Sequence, residues 1–286
     1  MNKITLAFLS FLCLLFVSPF SFGPTEEPIT VCEAPATEAF ANLADDPEFV
    51  KAHHEPEHIN FKSINGTAIT FDTPDGQKGN AYLVKKSETT KNYLFVIHEW
   101  WGLNDHIRQE AEQLFTDLGD VNVLALDMYD GKFATTRPEA SKLMQGVKTA
   151  RAEAIIQGAL AYAGEDARIF TIGWCFGGGW SLKASLLVKD QAAGCVIYYG
   201  MPVQDVEKLK TLQADVLGIW AGREGWINKD VVAKFEKNME AAGKKLDSNS
   251  YDAEHAFANP SAPIYDETSA KDAYAKTLNF LKTRMK

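Results

Sequence analysis

Ile169-Phe170-Thr171-Ile172-Gly173-Trp174-Cys175-Phe176-Gly177-Gly178-Gly179 is the stretch on which the fold turns. An apolar, β-branched run passes into glycines and then into a helical pattern, which reads as a buried strand, a tight turn and a helix. Around the turn the pattern is Gly-x-Cys-x-Gly-Gly, the form of a nucleophile elbow with sulfur in place of oxygen. A residue on so sharp a turn is held in a strained backbone conformation, and strand and helix approach closely only if its neighbours two positions away lack a Cβ. Gly173 and Gly177 occupy those two positions. A helix starting at Phe176 points its positive end and free N–H groups at the sulfur, which lowers a thiol's pKa and offers an oxyanion donor. A dinucleotide-binding loop is a poorer reading, because glycines 173, 177, 178 and 179 are out of the Gly-x-Gly-x-x-Gly register. An inert buried cysteine needs neither a helix N-terminus nor flanking glycines, so Cys175 is taken as a nucleophile.

Outward from the elbow, apolar β-rich runs alternate with helical patterns. Strands are expected at Tyr93–His98, Val121–Leu126, Arg168–Ile172, Cys195–Tyr199 and Val216–Ala221. Helices fit Asp105–Leu118, about Arg137–Ala163, Phe176–Lys189, Lys229–Ala242 and Asp266–Lys282. Continuous Val/Ile/Leu strands between helices imply a mostly parallel sheet covered on both faces. Ahead of them, Ile59–Asp72 carries Asn65-Gly66, the signal of a type I′ hairpin turn, and Asn80–Lys85 is a further strand, so the sheet begins antiparallel.

The N-terminal end reads differently. Met1–Phe22 has one cation, Lys3, then an apolar run of 14 residues from Ile4 to Val17 and small residues around Ser18, Ser21 and Gly23. That is the pattern of a secretory signal peptide over residues 1–23, too short for the roughly 20 residues a helix needs to span a bilayer. Export to a periplasm or beyond is the expectation, with no stable membrane insertion after cleavage. Residues 24–58 read as a leader, packed on the surface or partly disordered, with a short helical stretch near Ala36–Leu43; residues 59–286 read as one α/β domain. The cluster His53, His54, Glu55, Glu57, His58 holds metal-ligating types, but Pro56 interrupts it, and a solvated segment is the expected state. No metal site and no organic cofactor are expected. Four cysteines, at 13, 32, 175 and 195, show neither a Cys-x-x-Cys pair nor zinc-finger spacing. With 29 Lys plus Arg against 38 Asp plus Glu, the net charge of −9 repels polyanions, so nucleic acid is excluded as a partner.

A cysteine nucleophile calls for a base and a group to orient it. His255 lies in Tyr251-Asp252-Ala253-Glu254-His255-Ala256-Phe257, between the last expected strand and the C-terminal helix. His106 sits inside an early helix and His98 ends a strand, so His255 is the base. In the chain order nucleophile, acid, histidine, the acid follows a strand between the other two. Glu224, just after Val216–Ala221, fits; Asp215 is at that strand's wrong end and Asp230 is in the next helix.

On the elbow Gly-Trp-Cys-Phe-Gly-Gly and on three further stretches, the chain resembles the dienelactone hydrolase (carboxymethylenebutenolidase) family of α/β-hydrolases over residues 59–286. These stretches are His98-Glu99-Trp100-Trp101-Gly102-Leu103-Asn104, Asp127-Met128-Tyr129 and Glu254-His255-Ala256-Phe257. The resemblance implies the α/β-hydrolase fold and hydrolysis of a small ester or lactone through an acyl-thioester. It implies that Glu99 contacts the resting thiol and helps to activate it, and that the backbone N–H groups of Trp100 and Phe176 form the oxyanion hole. The family's usual aspartate is here Glu224. Arginines that hold the dienelactone carboxylate in family members fall at Asp130-Gly131-Lys132 and at Asn259, so Lys132 is the remaining cation and the bidentate fork is lost. Trp101 and Trp226, with Trp100 and Trp174, are candidates to wall an apolar substrate pocket. Two other readings of Cys175 stand beside hydrolysis: thiol-redox chemistry, and a non-catalytic binding role.

Overall fold

A computed structural model describes residues 35–86 and 90–286, and Ala34–Lys286 forms a single folded unit. The expected signal peptide, Cys13 and Cys32 lie outside the described residues. Eight strands build the sheet: β1 Gly66–Asp72, β2 Lys78–Val84, β3 Asn92–Ile97, β4 Asn122–Leu126, β5 Arg168–Trp174, β6 Ala192–Tyr198, β7 Val216–Ala221 and β8 Leu246–Tyr251. Their order is β1-β2-β4-β3-β5-β6-β7-β8. β2 is antiparallel to both β1 and β4, and every pair from β4 onward is parallel. This is the mixed sheet of an α/β-hydrolase, with β5 at its centre.

Helices cover both faces: α1 Ala36–Ala41, α2 Pro47–Ala52, α3 Asp105–Leu118, α4 Arg137–Gly146, α5 Thr149–Ala163, α6 Phe176–Leu187, α7 Val206–Lys210, α8 Lys229–Ala241 and α9 Glu267–Met285. The continuous apolar runs of β4 and β7 are buried at every position, as a sheet covered on both faces requires. Among the described residues no helix is long and apolar enough to cross a membrane.

Four expectations change. The single helix over 137–163 is two, because Val147 and Lys148 are extended (ψ 119° and 122°); Gly146 weakens the helix end and β-branched Val147 favours the extended form. Asn65-Gly66 is not the hairpin turn. Gly66 already pairs with Val84, and the turn lies at Thr73-Pro74-Asp75-Gly76, with Gly76 at φ 79°. The N–H groups of Ile64, Asn65 and Gly66 are instead gathered by the Glu112 carboxylate of α3 at 3.1–3.3 Å, and a Cβ on Gly66 would stand 2.1 Å from the Tyr82 ring. The sequence Leu-Asp-Ser-Asn-Ser-Tyr carries no apolar run, yet it forms β8, an edge strand paired along its length with β7.

The fourth change concerns the leader. Residues 36–52 fold as α1, a 3₁₀ turn at Asn42–Asp45 and α2. Asp46 caps α2 by accepting from the N–H groups of Glu48 and Phe49, and Pro47 takes the first helical position. Phe40 and Phe49 are 1% and 0% exposed. Burying two phenylalanines stabilises this segment by roughly 3–6 kcal/mol, ample to tie it to the domain. Residues 36–52 are therefore packed into the same folded unit as residues 59–286.

Candidate active site

At the junction of β5 and α6, Cys175 has φ 57° and ψ −119°, a conformation that L-residues rarely adopt. The glycines on either side make it possible. A Cβ on Gly173 would lie 2.1 Å from the Gly177 carbonyl oxygen, and one on Gly177 would lie 2.2 Å from that of Ile97. Strand, turn and helix are thus in backbone contact, and the sulfur sits at the N-terminus of α6, fully buried. Burial pushes the Cys175 thiol up, while the charge of His255 and the N–H of Phe176 act to bring it down.

His255 Nδ1 is 2.7 Å from Glu224 Oε2, with both side chains buried. His255 lies in a loop held by Ala256 at φ 65°, and its Nε2 is buried without a hydrogen-bond partner. Burial alone would lower this imidazole's pKa, but the Glu224 carboxylate and the nearby Cys175 sulfur outweigh it and hold the ring well above the ordinary histidine value. The other two histidines considered are engaged elsewhere. His98 pairs Nδ1 with the Glu99 carbonyl and accepts from the Met128 N–H at Nε2, while His106 meets the Glu57 carbonyl.

Glu99 opens the turn after β3, close to His255, but its hydrogen bond comes from Asn259 Nδ2 at 2.6 Å and not from the thiol. Burial raises its carboxyl to about 7, against the opposing pull of His255 and Asn259. The place expected for Glu99 beside the sulfur is taken by His53, whose Nε2 is 3.5 Å from Cys175 Sγ. The expectation of a solvated 53–58 cluster therefore fails for His53, which is 5% exposed, and holds for Glu55, Glu57 and His58. The α2 cap explains why: it starts a helix that places Phe49 and His53 one turn apart on the inner face, and the Phe49 carbonyl accepts from His53 Nδ1 at 2.7 Å. With that hydrogen on Nδ1, Nε2 presents a lone pair to the sulfur. Burial and the charge of His255 keep the ring well below its usual pKa, hence neutral. Asp46-Pro47, a cap followed by a first-turn proline, was the sequence signal that marks this helix.

Trp100 is fully buried, and its carbonyl accepts from the Tyr129 hydroxyl at 3.1 Å, which ties the Asp127-Met128-Tyr129 segment to the turn that carries the Trp100 N–H. A cavity of about 450 Å³ opens beside Glu99 and is walled by Trp101, Trp174, Tyr198, Tyr199, Tyr274 and Asn259. Trp101 is in that wall, whereas Cys175 and His255 are not. Lys132 is not there either: it is exposed on the turn Asp130-Gly131-Lys132-Phe133, outside the cavity wall. Nor does Trp226 line the cavity. Its indole N–H donates to Asp46 Oδ2 at 2.9 Å and its ring packs on Phe49, so it anchors α2 instead.

The family model described as the dienelactone hydrolase family matches residues 80–285. The chain belongs to the dienelactone hydrolase family. Membership makes it an ester or lactone hydrolase by class. Among curated relatives, a protein of Aquifex pyrophilus named usf is 27% identical over 201 residues, covering 66% of this chain and 87% of its own. A protein of Saccharolobus solfataricus named as a candidate carboxymethylenebutenolidase is 26% identical over 259 residues, 75% of this chain and 97% of its own. Among solved structures, a dienelactone hydrolase-like promiscuous phosphotriesterase from metagenomic libraries superposes with a TM-score of 0.66 at 21% identity, over 77% of this chain and 99% of that one. At that identity the likeness supports the fold.

Proposed function

We propose that the protein is an exported hydrolase of a small, uncharged ester or lactone, acting through Cys175, His255 and Glu224. The observation that carries this reading is the strained elbow cysteine at a helix N-terminus beside the buried His255–Glu224 pair. Sγ attacks the carbonyl carbon after passing its proton to His255 Nε2; the carbonyl π electrons move to oxygen, where the N–H groups of Phe176 and Trp100 receive the charge. Collapse re-forms the carbonyl, breaks the bond to the leaving oxygen and leaves an acyl-thioester; His255 supplies the leaving oxygen's proton. Water then attacks the thioester, with His255 taking its proton, and the thiol is released. Glu224 holds the imidazole in orientation and stabilises its charged form.

The cavity supports an uncharged substrate. Among the described residues, six Trp and Tyr line it together with the acidic Glu99 and Glu110, and its one lining lysine, Lys271, is paired with Glu267. Asn259 offers an amide where a bidentate cation would be needed for an anionic lactone. Export rests on the signal-like residues 1–23. The test is turnover of a p-nitrophenyl ester and of a panel of lactones by the purified protein and by Cys175→Ala. Activity that disappears in a variant with an unchanged melting profile supports the proposal; undiminished activity refutes it.

A further inference from the structure

Three lone-pair donors converge at the elbow. Cys175 Sγ, one nitrogen of His53 and one of His255 lie within 4.8 Å of one another, all three residues buried. Each imidazole has its Nδ1 engaged behind it, His53 on the Phe49 carbonyl and His255 on the Glu224 carboxylate. This is the outer arrangement by which proteins aim the Nε2 of a metal-bound histidine. His255 Nε2 is left buried without a partner. His53 Nε2 carries a lone pair toward the sulfur, and His255 Nε2 offers one when its ring gives up its proton.

We propose that His53, Cys175 and His255 form a three-ligand site for a thiophilic divalent cation, Zn²⁺ in chemical class, whose occupancy silences the hydrolase. Thiolate and imidazole are the ligands such ions select, and three protein ligands leave one position open in a tetrahedral shell. Zn–S of about 2.3 Å and Zn–N of about 2.0–2.1 Å set sulfur and nitrogen ligands roughly 3.5 Å apart. His53 Nε2 already stands 3.5 Å from Sγ. Two nitrogen ligands stand roughly 3.3 Å apart in the same shell. With 4.8 Å as the widest separation in the cluster, His255 needs at most about 1.5 Å of side-chain movement to complete the set. Charge balances as well: the thiolate and the Glu224 carboxylate behind His255 together neutralise a dication away from water. The ion takes the lone pairs of the nucleophile and of the base together, and its binding expels the hydrogens that Sγ and the ring nitrogens carry, so affinity rises with pH. His53 lies outside residues 80–285, the part of the chain that the family model matches.

Cobalt reports on the site without any reference to ester turnover, so failure of this proposal and failure of the hydrolase reading are separate outcomes. Metal-free full-length protein titrated with Co²⁺ should bind one ion with a thiolate-to-cobalt charge-transfer band and tetrahedral visible absorption, both removed by Zn²⁺. Cys175→Ser should lose the charge-transfer band, and His53→Ala should weaken Co²⁺ binding at least on the order of tenfold. His53→Cys, which keeps a ligand and adds a second thiolate, should bind with a stronger band; it decides the matter if His53→Ala fails to fold. Absence of a thiolate band in the unaltered protein overturns the proposal. So does a His53→Ala variant that binds Co²⁺ as tightly as the unaltered protein, or a His53→Cys variant whose band is no stronger.

Discussion

Glu99→Gln should remove a pH-dependent loss of stability built into the active site. The Glu99 side chain is 6% exposed, so little solvent screening applies, and burial raises its carboxyl from 4.5 to about 7. Below pH 4.5 the carboxyl is protonated in both folded and unfolded chains, and it contributes nothing to the pH dependence. Between 4.5 and about 7 the unfolded chain gives up its proton while the folded chain retains it, so folding becomes less favourable as pH rises. At about 1.4 kcal/mol per pKa unit, a shift of this size amounts to about 3 kcal/mol by pH 8. Glutamine is close in shape, can still accept from Asn259 Nδ2, and does not titrate. Urea unfolding of both proteins at several pH values from 4.5 to 8 measures the effect, because groups common to the two cancel in the difference. The stability of Glu99→Gln relative to the unaltered protein should climb by about 3 kcal/mol across that range. A difference that stays flat would refute the reasoning, and would mean that the carboxyl is hydrated or paired in solution.

Asp46→Ala should cost about 1 kcal/mol for the lost cap of α2. It also removes the acceptor of the Trp226 indole, so iodoacetamide should label Cys175 faster, read by peptide mass spectrometry, while Cys195 stays slow. Cys195 is fully buried in β6 beside Ser181, and burial pushes its thiol up to about 11. Glu224→Gln should lower kcat on the order of 10²–10⁴ with little change in KM, because it removes the negative charge that orients and stabilises the His255 imidazolium; steady-state kinetics on any turned-over ester checks it.

The elbow was legible in the sequence because backbone contact leaves no choice of residue. Gly173 and Gly177 each have a neighbouring carbonyl about 2 Å from where a Cβ would sit, so the turn can be written only with glycine at both positions. The buried strands were legible for a related reason, since β3 to β7 carry the continuous apolar runs that double-sided burial demands. His255 and Glu224 followed from their order along the chain, and they meet at 2.7 Å. What escaped depends on partners far away in sequence. β8 is polar and borrows its order from β7. Asn65-Gly66 would suit a hairpin turn in isolation, but the Glu112 carboxylate captures its N–H groups from another element. His53 is 122 residues from Cys175 along the chain, and its cluster of charged neighbours disguises a side chain that the Phe49 face carries inward.

The nucleophilic role of Cys175 is tested most directly by mass spectrometry of the protein quenched in acid during turnover of a slowly released ester. One acyl group should be found per chain, on the peptide that contains Cys175, and it should be absent from Cys175→Ala. Ester hydrolysis that continues in Cys175→Ala, or an acyl group carried on any other residue, would contradict the account.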